Sequence, residues 1–414
     1  MTKRIKNSED NKTASFFLLL LNAKRGTLLK TNKSPVFRKD TNMKKAIGLG
    51  IVAFLFSFSA VAQEMEFQAS GEWDSFYGYA FPDKAYKHRD KRQFFVNTFA
   101  VNLGAEKTFT EDYFLGFYAD LYAGIDKRQR NYSNGLWGHE IYGIFDNPYG
   151  RIMFGETYNV AAQFHISAPK AGKFSTNDSD IVNFIANPNW IKEKHSTAFR
   201  TLNSTSINTD GTVAKISYIT PEYNNLTLGF SYVPDTYSRT GLVNRDARYA
   251  DNDGYIAAAY YTADLGFAEM ETSLGYAIFN QDDRDFSAGL SFYHAGWTVG
   301  GSWRKTYVDG GDYAVTKISN NPKLPDFFDS YRESHAWDAG IGYEFGPFKT
   351  ALSYFESKAE HTKNRDKIWL WSNEFQYNKY LKLYLAAAKA EFEGQTKADS
   401  NKGYSAITGF SVNF

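Results

Sequence analysis

The sequence contains no cysteine, which excludes disulfide bonds and thiolate metal sites. It also lacks an excess of either charge: 47 basic residues balance 46 acidic ones, so nothing points to a nucleic-acid partner held by bulk electrostatics. After residue 62 no apolar run approaches the roughly 20 residues that a membrane-spanning helix needs. Aromatic side chains, by contrast, are abundant, with 29 Tyr, 35 Phe and 8 Trp forming 17% of the 414 residues. A soluble enzyme would more often fill its core with Leu, Ile and Val.

The N-terminal region carries an export pattern that begins at Met43. Met43-Lys44-Lys45 forms a charged region, residues 46–61 form an apolar run, and Ala60-Val61-Ala62 supplies the small residues of a cleavage site. This order is typical of a secretory signal peptide. A membrane-spanning helix is the alternative, but the run is short for one. We therefore expect a signal peptide over residues 43–62, a mature domain over 63–414, and an extension outside the fold over 1–42.

Residues after Gln63 alternate between apolar and polar with a period of two, as in a β-strand with two different faces. The alternation is clear in 66–81, 226–232, 285–292 and 337–345. A soluble β-sandwich gives the same period. Three further features favour a membrane barrel. The polar face is rich in Gly, Ser and Asp, as expected of a lumen facing water; aromatic residues gather near strand ends; and short connections alternate with long ones.

Counting the alternating segments predicts an all-β fold, a transmembrane antiparallel barrel of about 16 strands with both chain ends on one side. The connection at Gln281–Arg284 breaks the pattern, because it is short on the side of the long loops. The longest connection follows the fifth strand, from Ala161 to about Asp210. It is too apolar for a solvated tail, so we expect it to fold into the barrel. The expected strands are 66–81, 92–107, 113–126, 137–146, 150–160, 212–220, 226–234, 253–264, 268–280, 284–294, 297–308, 334–345, 348–359, 367–377, 380–392 and 403–414.

Local motifs add a family resemblance. Residues 141–144 and 149–155 look like two strands joined by a tight turn, and Arg200, with Asn203-Ser204 and residues 218–226, resembles a stretch leading into a later strand. Together with the architecture, these motifs resemble the general Gram-negative porins, sixteen-stranded channels that usually assemble as trimers. The resemblance implies that the loop after the fifth strand narrows the channel. Glu156 stands where family members commonly carry Arg.

The C-terminal strand is the most specific single match. One face carries Tyr404, Phe410, Val412 and the terminal Phe414, and the other face carries small polar residues. This pattern resembles the signal that the barrel-assembly machinery reads. Since an even strand number returns the chain to its starting side, the terminal strand should close the barrel against the first one.

The resemblance implies a passive diffusion channel for small hydrophilic solutes and ions, without enzymatic activity. Transport of this kind needs a water-filled lumen and a charged constriction. In the family, acidic residues on the inward loop face a basic cluster on the wall. Whether anions or cations are preferred stays open, because the candidate loop charges cancel. The loop candidates are Lys170, Lys173, Asp178 and Asp180, and the wall candidates are Asp120, Arg151, Glu156, Arg200 and Lys215.

Two other functions remain open. A substrate-specific channel for a sugar, amino acid or peptide would more often have 18 strands. An outer-membrane enzyme is the other, but none of the seven His lies in a motif with a nearby Ser nucleophile. Expected partners are outer-membrane lipid and lipopolysaccharide, the assembly machinery, two further copies of the chain and small solutes; no cofactor, metal or nucleic acid is expected.

Overall fold

The structure is a computed structural model that describes residues 65–83, 93–125, 136–177, 185, 187, 201–234, 253–279, 283–307, 314–317, 328–331, 333–394, 397 and 400–414. The expected signal peptide and the extension before it lie outside these residues. No helix within the described ranges is long and apolar enough to cross a membrane. Nearly all of the regular structure is β-strand.

Sixteen strands close into one antiparallel barrel, as the alternation in the sequence predicts. They are β1 (Glu66–Pro82), β2 (Gln93–Thr110), β3 (Tyr113–Ile125), β4 (Leu136–Asn147), β5 (Gly150–Glu156), β6 (Ala214–Ile219), β7 (Leu226–Val233), β8 (Gly254–Asp264), β9 (Glu269–Phe279), β10 (Asp283–His294), β11 (Trp297–Tyr307), β14 (Ser334–Phe345), β15 (Phe348–Ala359), β16 (Arg365–Gln376), β17 (Leu381–Glu393) and β18 (Asn401–Asn413). Two short strands, β12 (Ala314–Lys317) and β13 (Phe328–Tyr331), pair only with each other in the connection between β11 and β14. A single short helix, α1 (Val160–Gln163), follows β5 in the described residues.

Each barrel strand pairs with the barrel strands before and after it, β11 with β14 across the short β12–β13 pair in sequence, and β18 closes the ring against β1. Because side chains alternate along a strand, the registers put one set of positions on the outside throughout. The outer set is apolar and exposed, as shown by Phe230 (51% exposed), Leu385 (49%) and Trp369 (49%). The alternation from Phe67 to Phe81 therefore points its apolar side chains outward, toward lipid.

Tight turns join the strands at the end of the barrel where β1 begins and β18 ends. The turn between β10 and β11 has only two residues, Ala295 (φ 48°) and Gly296 (φ 84°). Two successive positive φ values suit the right-handed twist of a hairpin. A Cβ at Gly296 would lie 2.5 Å from the carbonyl oxygen of Glu344, so glycine is needed there for space as well as for conformation.

The fifth strand is shorter than the sequence predicts. The alternation extends it through residue 160, whereas β5 ends at Glu156. Gly155 has a φ of 127°, and Asn159 caps α1 with its side-chain oxygen. The chain therefore leaves the wall about four residues early and turns into the barrel interior.

The barrel interior contains two apolar clusters. In one, Val160 and Ile207 pack against Val233, Ile256 and Phe279 on the inner face of β7–β9. In the other, Phe174 and Ile185 pack against the inner faces of β14–β18 and β1. Both form because the described residues of the segment between β5 and β6, residues 157–213, fold inward. We call this segment the inward loop, with an outgoing limb (157–177) and a return limb (201–213).

A candidate pore constriction

The inward loop enters the barrel through the buried side chain of Asn159. Its Oδ1 accepts the N–H of Ala162, 2.9 Å away, and so caps α1. Its Nδ2 donates to the carbonyl oxygen of Ile207 at 2.8 Å and to Oδ1 of Asp210 at 2.6 Å. Asn159 is fully buried. One side chain therefore shapes the start of the outgoing limb and joins it to the return limb.

Helix α1 lies directly against the inner wall. The N–H of Val160 donates to Oγ of Ser231 on β7 at 3.0 Å. A Cβ at Gly229 would lie 2.8 Å from Cβ of Val160, so glycine at this inward position is what lets the helix approach β7 so closely. Small inward residues on the wall therefore make room for the loop.

The outgoing limb then follows the wall through backbone hydrogen bonds. The N–H of Ile166 donates to Oγ of Ser273 on β9 at 3.2 Å. The N–H of Ala168 donates to Oδ1 of Asp338 on β14 at 3.1 Å. The N–H of Ala171 donates to Oγ of Ser372 on β16 at 3.0 Å. A loop in a barrel interior must find partners for its N–H groups, and here the inward Ser and Asp side chains supply them.

Asp338 joins both limbs of the loop to the wall. Besides the N–H of Ala168, it accepts the hydroxyl of Ser302 at 2.7 Å and the side-chain amide of Asn177. The hydroxyls of Thr205, on the return limb, and Ser302 lie 2.6 Å apart. Asp338 is only 3% exposed. The alternation suggests a water-facing lumen position for this residue, but the structure places it under the loop.

The return limb is held by a buried ion pair. Nη2 of Arg304 on β11 lies 2.6 Å from Oδ2 of Asp285 on β10, with 1% and 2% of the two side chains exposed. The same Nη2 donates to the hydroxyl of Thr209 at 2.6 Å, while Nη1 donates to the carbonyl oxygen of Ser206 and to Oδ1 of Asn208. A guanidinium can donate to several acceptors at once, because its N–H groups point in fixed directions. Arg304 therefore fixes residues 206–209 to the wall.

The far end of the outgoing limb reaches the first strand. Nζ of Lys173 lies 2.5 Å from Oε2 of Glu72 and 3.5 Å from Oδ2 of Asp74, both on β1. The ring of Phe174 packs edge-on against Phe76, with centroids 4.9 Å apart. The inward loop thus crosses the interior from β5 to β1. Lys170, near the same end, is exposed.

The loop divides the inner wall into two parts. On β6–β11 and β14–β18, which we call the covered wall, many inward polar side chains are buried: Asp285 is 1% exposed, Asp366 3% and Ser353 1%. On β2–β4, which we call the open wall, Asn102 is exposed and Asp120 is half-buried. Among the described loop residues, Thr157 and Tyr158 bond to this wall. Both bond to Glu140, at 2.6 and 3.2 Å, and the hydroxyl of Tyr158 lies 3.3 Å from Nε2 of His139. Water in the lumen therefore meets mainly the open wall.

The open wall combines carboxylates with tyrosines. The hydroxyl of Tyr118 donates to Glu106 at 2.9 Å, and the rings of Tyr118 and Tyr142 lie 5.4 Å apart. Asp120 on β3 and Glu140 on β4 are directly opposite in the register. Among the described residues no group of three or more His, Asp or Glu is arranged to hold a metal ion. The wall can therefore bind or steer solutes by charge and by aromatic contact.

His165 is the titratable side chain inside the outgoing limb. Its Nε2 lies 3.1 Å from the hydroxyl of Thr205, on the return limb. Burial, and secondarily the positive charge of Arg304, lower the pKa of the His165 imidazole to about 4. The imidazole is therefore neutral at pH 7 and can join the two limbs without adding a charge.

The constriction residues that the sequence suggests fall into three groups in the structure. Lys173 pairs with Glu72 on the inner face of β1, Lys170 is exposed on the outgoing limb, and Asp120 is half-buried opposite Glu140 on the open wall. Asp178, Asp180 and Arg200 lie outside the described residues.

Three wall candidates do not face the constriction freely. Arg151 lies beside the β4–β5 turn and pairs with Asp146 at 2.7 Å, so it belongs to the end of the barrel. Lys215 is fully buried, 3.2 Å from Asp210, and Glu156 is 8% exposed. A basic cluster on the wall, as the family resemblance implies, is therefore absent from these positions.

Sequence reasoning missed the residues that hold the loop in place: Asn159, Asp285, Arg304 and Asp338. It also missed Glu140, which faces Asp120 on the open wall. The available signal was side-chain size. The inward positions that the outgoing limb contacts include Gly229, Ser231 and Ser273, whereas β3 and β4 carry Tyr118, Tyr122 and Tyr142.

The C-terminal strand closes the barrel as expected. The side chains of Tyr404, Phe410 and Val412 point outward, and the ring of Phe410 packs edge-on against Trp73 at 5.2 Å. The backbone of Phe414 exchanges two hydrogen bonds with Gly71, at 2.8 and 2.9 Å. A Cβ at Gly71 would lie 2.3 Å from the Phe414 ring. Phe414 thus extends the pairing of β18 with β1, and its ring lies where any side chain at position 71 would be.

Comparison with known proteins gives a consistent result. A family model described as Gram-negative porin matches residues 49–395. Among solved structures, the Salmonella typhi OmpF complex with daunomycin is similar with a TM-score of 0.56 and 11% identity, over 84% of this chain and 98% of that one. An anion-selective porin from Comamonas acidovorans gives 0.55 and 13%, over 85% and 100%. In-vitro folded OmpT of Vibrio cholerae, in its trimer form, gives 0.54 and 9%, over 84% and 99%. No relative was found among the curated proteins.

Proposed function

Because this chain belongs to the Gram-negative porin family, we propose that it is a passive diffusion channel whose solutes pass between the inward loop and the open wall. Its barrel belongs to the outer membrane, and members of this family are channels and not enzymes. Small hydrophilic solutes and ions are the expected substrates. A channel specific for one sugar, amino acid or peptide is the alternative that experiment must separate from this function.

The observation that carries the proposal is the inward loop fixed inside a closed barrel. Backbone N–H groups of the outgoing limb bond to three wall strands, and Arg304 bonds to the return limb. A segment held at so many points narrows the lumen without filling it, because the polar side chains of the open wall keep contact with water. A narrowed, water-filled passage sorts solutes by size and charge.

We further propose which side chains line the narrow part. Lys170 and Lys173 lie on the loop, and Asp120 lies on the open wall. Loop lysines opposite a wall carboxylate would set a transverse field across the passage. This polarity is opposite to the family pattern of acidic loop and basic wall. Asp178, Asp180 and Arg200 remain candidates from the sequence.

Assembly and export complete the proposal. The trimer form of the similar Vibrio cholerae protein supports a trimer of this chain as well. The strand ending at Phe414 would be read by the assembly machinery, and residues 43–62 would direct export across the inner membrane. Contact with lipopolysaccharide would follow from location in the outer membrane.

Conductance in a planar bilayer tests the function. Purified, folded protein should produce large ohmic current steps, in groups of three if the trimer is correct, and the same sample unfolded by heat should produce none. Permeation of uncharged sugars should fall steadily with their size. A saturable current blocked by one sugar or peptide would favour the specific channel, and folded protein without conductance would refute both.

A further inference from the structure

Among the described residues, the charges at inward positions do not balance. In the described part of the chain, basic side chains on the inner wall and on the outgoing limb mostly have an acidic partner at 2.5 to 3.8 Å. Lys170, on the inward loop, is an exposed lysine that does not belong to these pairs. The paired residues are Arg151 with Asp146, Lys173 with Glu72, Lys215 with Asp210, Arg304 with Asp285, Lys349 with Glu344, and Lys382 with Glu374.

The open wall, by contrast, carries carboxylates held by neutral donors. Glu106 accepts the hydroxyl of Tyr118 at 2.9 Å and the amide of Gln68 at 3.0 Å. Glu140 accepts the hydroxyl of Thr157 at 2.6 Å. Hydrogen bonds from neutral groups stabilise a carboxylate but leave its charge in place. The negative charge of this wall is therefore available to a solute.

The sheet brings two carboxylates of the open wall together. Asp120 on β3 and Glu140 on β4 are directly opposite in the antiparallel register. Opposite residues of neighbouring strands have their Cβ atoms about 5 Å apart, and like charges there are destabilising. His139 of β4 lies beside this pair, but the two carboxylates outnumber it, and a passing cation would offset their mutual repulsion.

The backbone of the sheet is irregular beside the Asp120–Glu140 pair. The register between β3 and β4 shifts between Asp120 and Leu121, where His139 is the extra residue of β4. Such bulges often re-aim side chains beside functional sites. The ring of Tyr122 meets His139 edge-on at 5.2 Å, so aromatic side chains flank the acidic pair. Aromatic faces also attract cations.

We propose that the pore selects cations, including small ammonium-bearing solutes, and that Asp120 and Glu140 determine this selectivity. The inference rests on the proposed diffusion function and deepens it. The acidic pair attracts a cation and repels an anion at the same point, so both effects enter the permeability ratio. For charges several ångströms from the ion path in screened water, removing both should reduce the K⁺-to-Cl⁻ permeability ratio about three- to tenfold.

The reversal potential under a KCl gradient measures that ratio. We expect a wild-type ratio above one and a much lower ratio in the isosteric double variant Asp120→Asn/Glu140→Gln. The matched control is Glu269→Gln/Glu271→Gln, which removes two carboxylates from the inward positions of β9 near its turn. The control should change the ratio less than about twofold.

Each outcome has a clear meaning. An anion-selective wild-type channel would overturn the inference while leaving the diffusion function intact. So would a double variant whose selectivity equals that of the wild type, or a control that changes as much as the double variant. Absence of conductance in folded wild-type protein would instead refute the proposed function. Replacing K⁺ by tetramethylammonium extends the test, since the double variant should lose this current as well.

Discussion

Removing the guanidinium of Arg304 should release the return limb of the inward loop. Arg304→Met keeps an aliphatic stem of similar length but removes the partner of Asp285 and the donors to Ser206, Asn208 and Thr209. The carboxylate of Asp285 would stay almost fully buried without its cation. Breaking a buried ion pair in this way typically costs about 3–5 kcal/mol.

This loss of free energy should destabilise the docked state of the loop and leave the stability of the barrel unchanged. The backbone ladder between β10 and β11, from Arg284 opposite Tyr307 to His294 opposite Trp297, does not depend on the Arg304 side chain. Since about 1.4 kcal/mol corresponds to a factor of ten, the ratio of released to docked loop should rise by about a hundredfold or more. We expect larger and noisier single-channel conductance, together with faster tryptic cleavage after Lys170 or Lys173.

Arg151→Met is the matched control, since the Arg151–Asp146 pair is 46% and 29% exposed. Exposed pairs contribute about 0–1 kcal/mol, so this variant should behave as the wild type. The double variant Arg304→Met/Asp285→Leu should recover part of the docking, because replacing both ions removes the unpaired buried charge. Equal conductance and equal protease protection in Arg304→Met and Arg151→Met would refute the role given to Arg304.

Two further predictions concern the seam and the acid response. Gly71→Ala should lower the thermal unfolding temperature of the barrel, by a loss of about 1–3 kcal/mol, because the new Cβ would meet the Phe414 ring at 2.3 Å. Gly104→Ala, whose Cβ would have ordinary contacts at 3.5 Å, should not, and equal melting of the two variants would contradict this account. Because the pKa of His165 is lowered to about 4, docking of the loop should weaken as the pH falls from about 6.5 to 4 and change no further through this group below that. Conductance noise should rise in that range, and a His165→Gln channel with the same rise would show that another group is responsible.

The barrel could be predicted from the sequence because its determinants are local. An alternation over some ten residues identifies a strand and its outer face, and short polar turns identify its end. The terminal strand is readable for the same reason, with Phe410 and Phe414 on the outward face. The end of β5 was missed because it depends on the positive φ of Gly155 and on the Asn159 cap, not on alternation.

The path of the loop could not be predicted, since its contacts join residues far apart in sequence. Ala168 and Asp338 are separated by 170 positions, and Ala171 and Ser372 by 201. A charged or hydroxyl side chain at an inward position also gives the same alternation in the sequence, whether it faces water or the loop. For that reason Lys215 looked like a wall charge, although it is buried against Asp210.

Small side chains at particular inward positions mark where the backbone of the loop approaches the wall closely. Gly229 and Gly289 leave room for the loop, since a Cβ at Gly229 would meet Val160 at 2.8 Å and one at Gly289 would meet the carbonyl oxygen of Ile166 at 2.4 Å. On the open wall Tyr118, Tyr122 and Tyr142 fill the corresponding positions with rings that would collide with a second layer. The charges differ as well: the buried carboxylate of Asp338 is held under the loop by N–H and hydroxyl donors, whereas Asp120 on the open wall is half-buried and keeps contact with water.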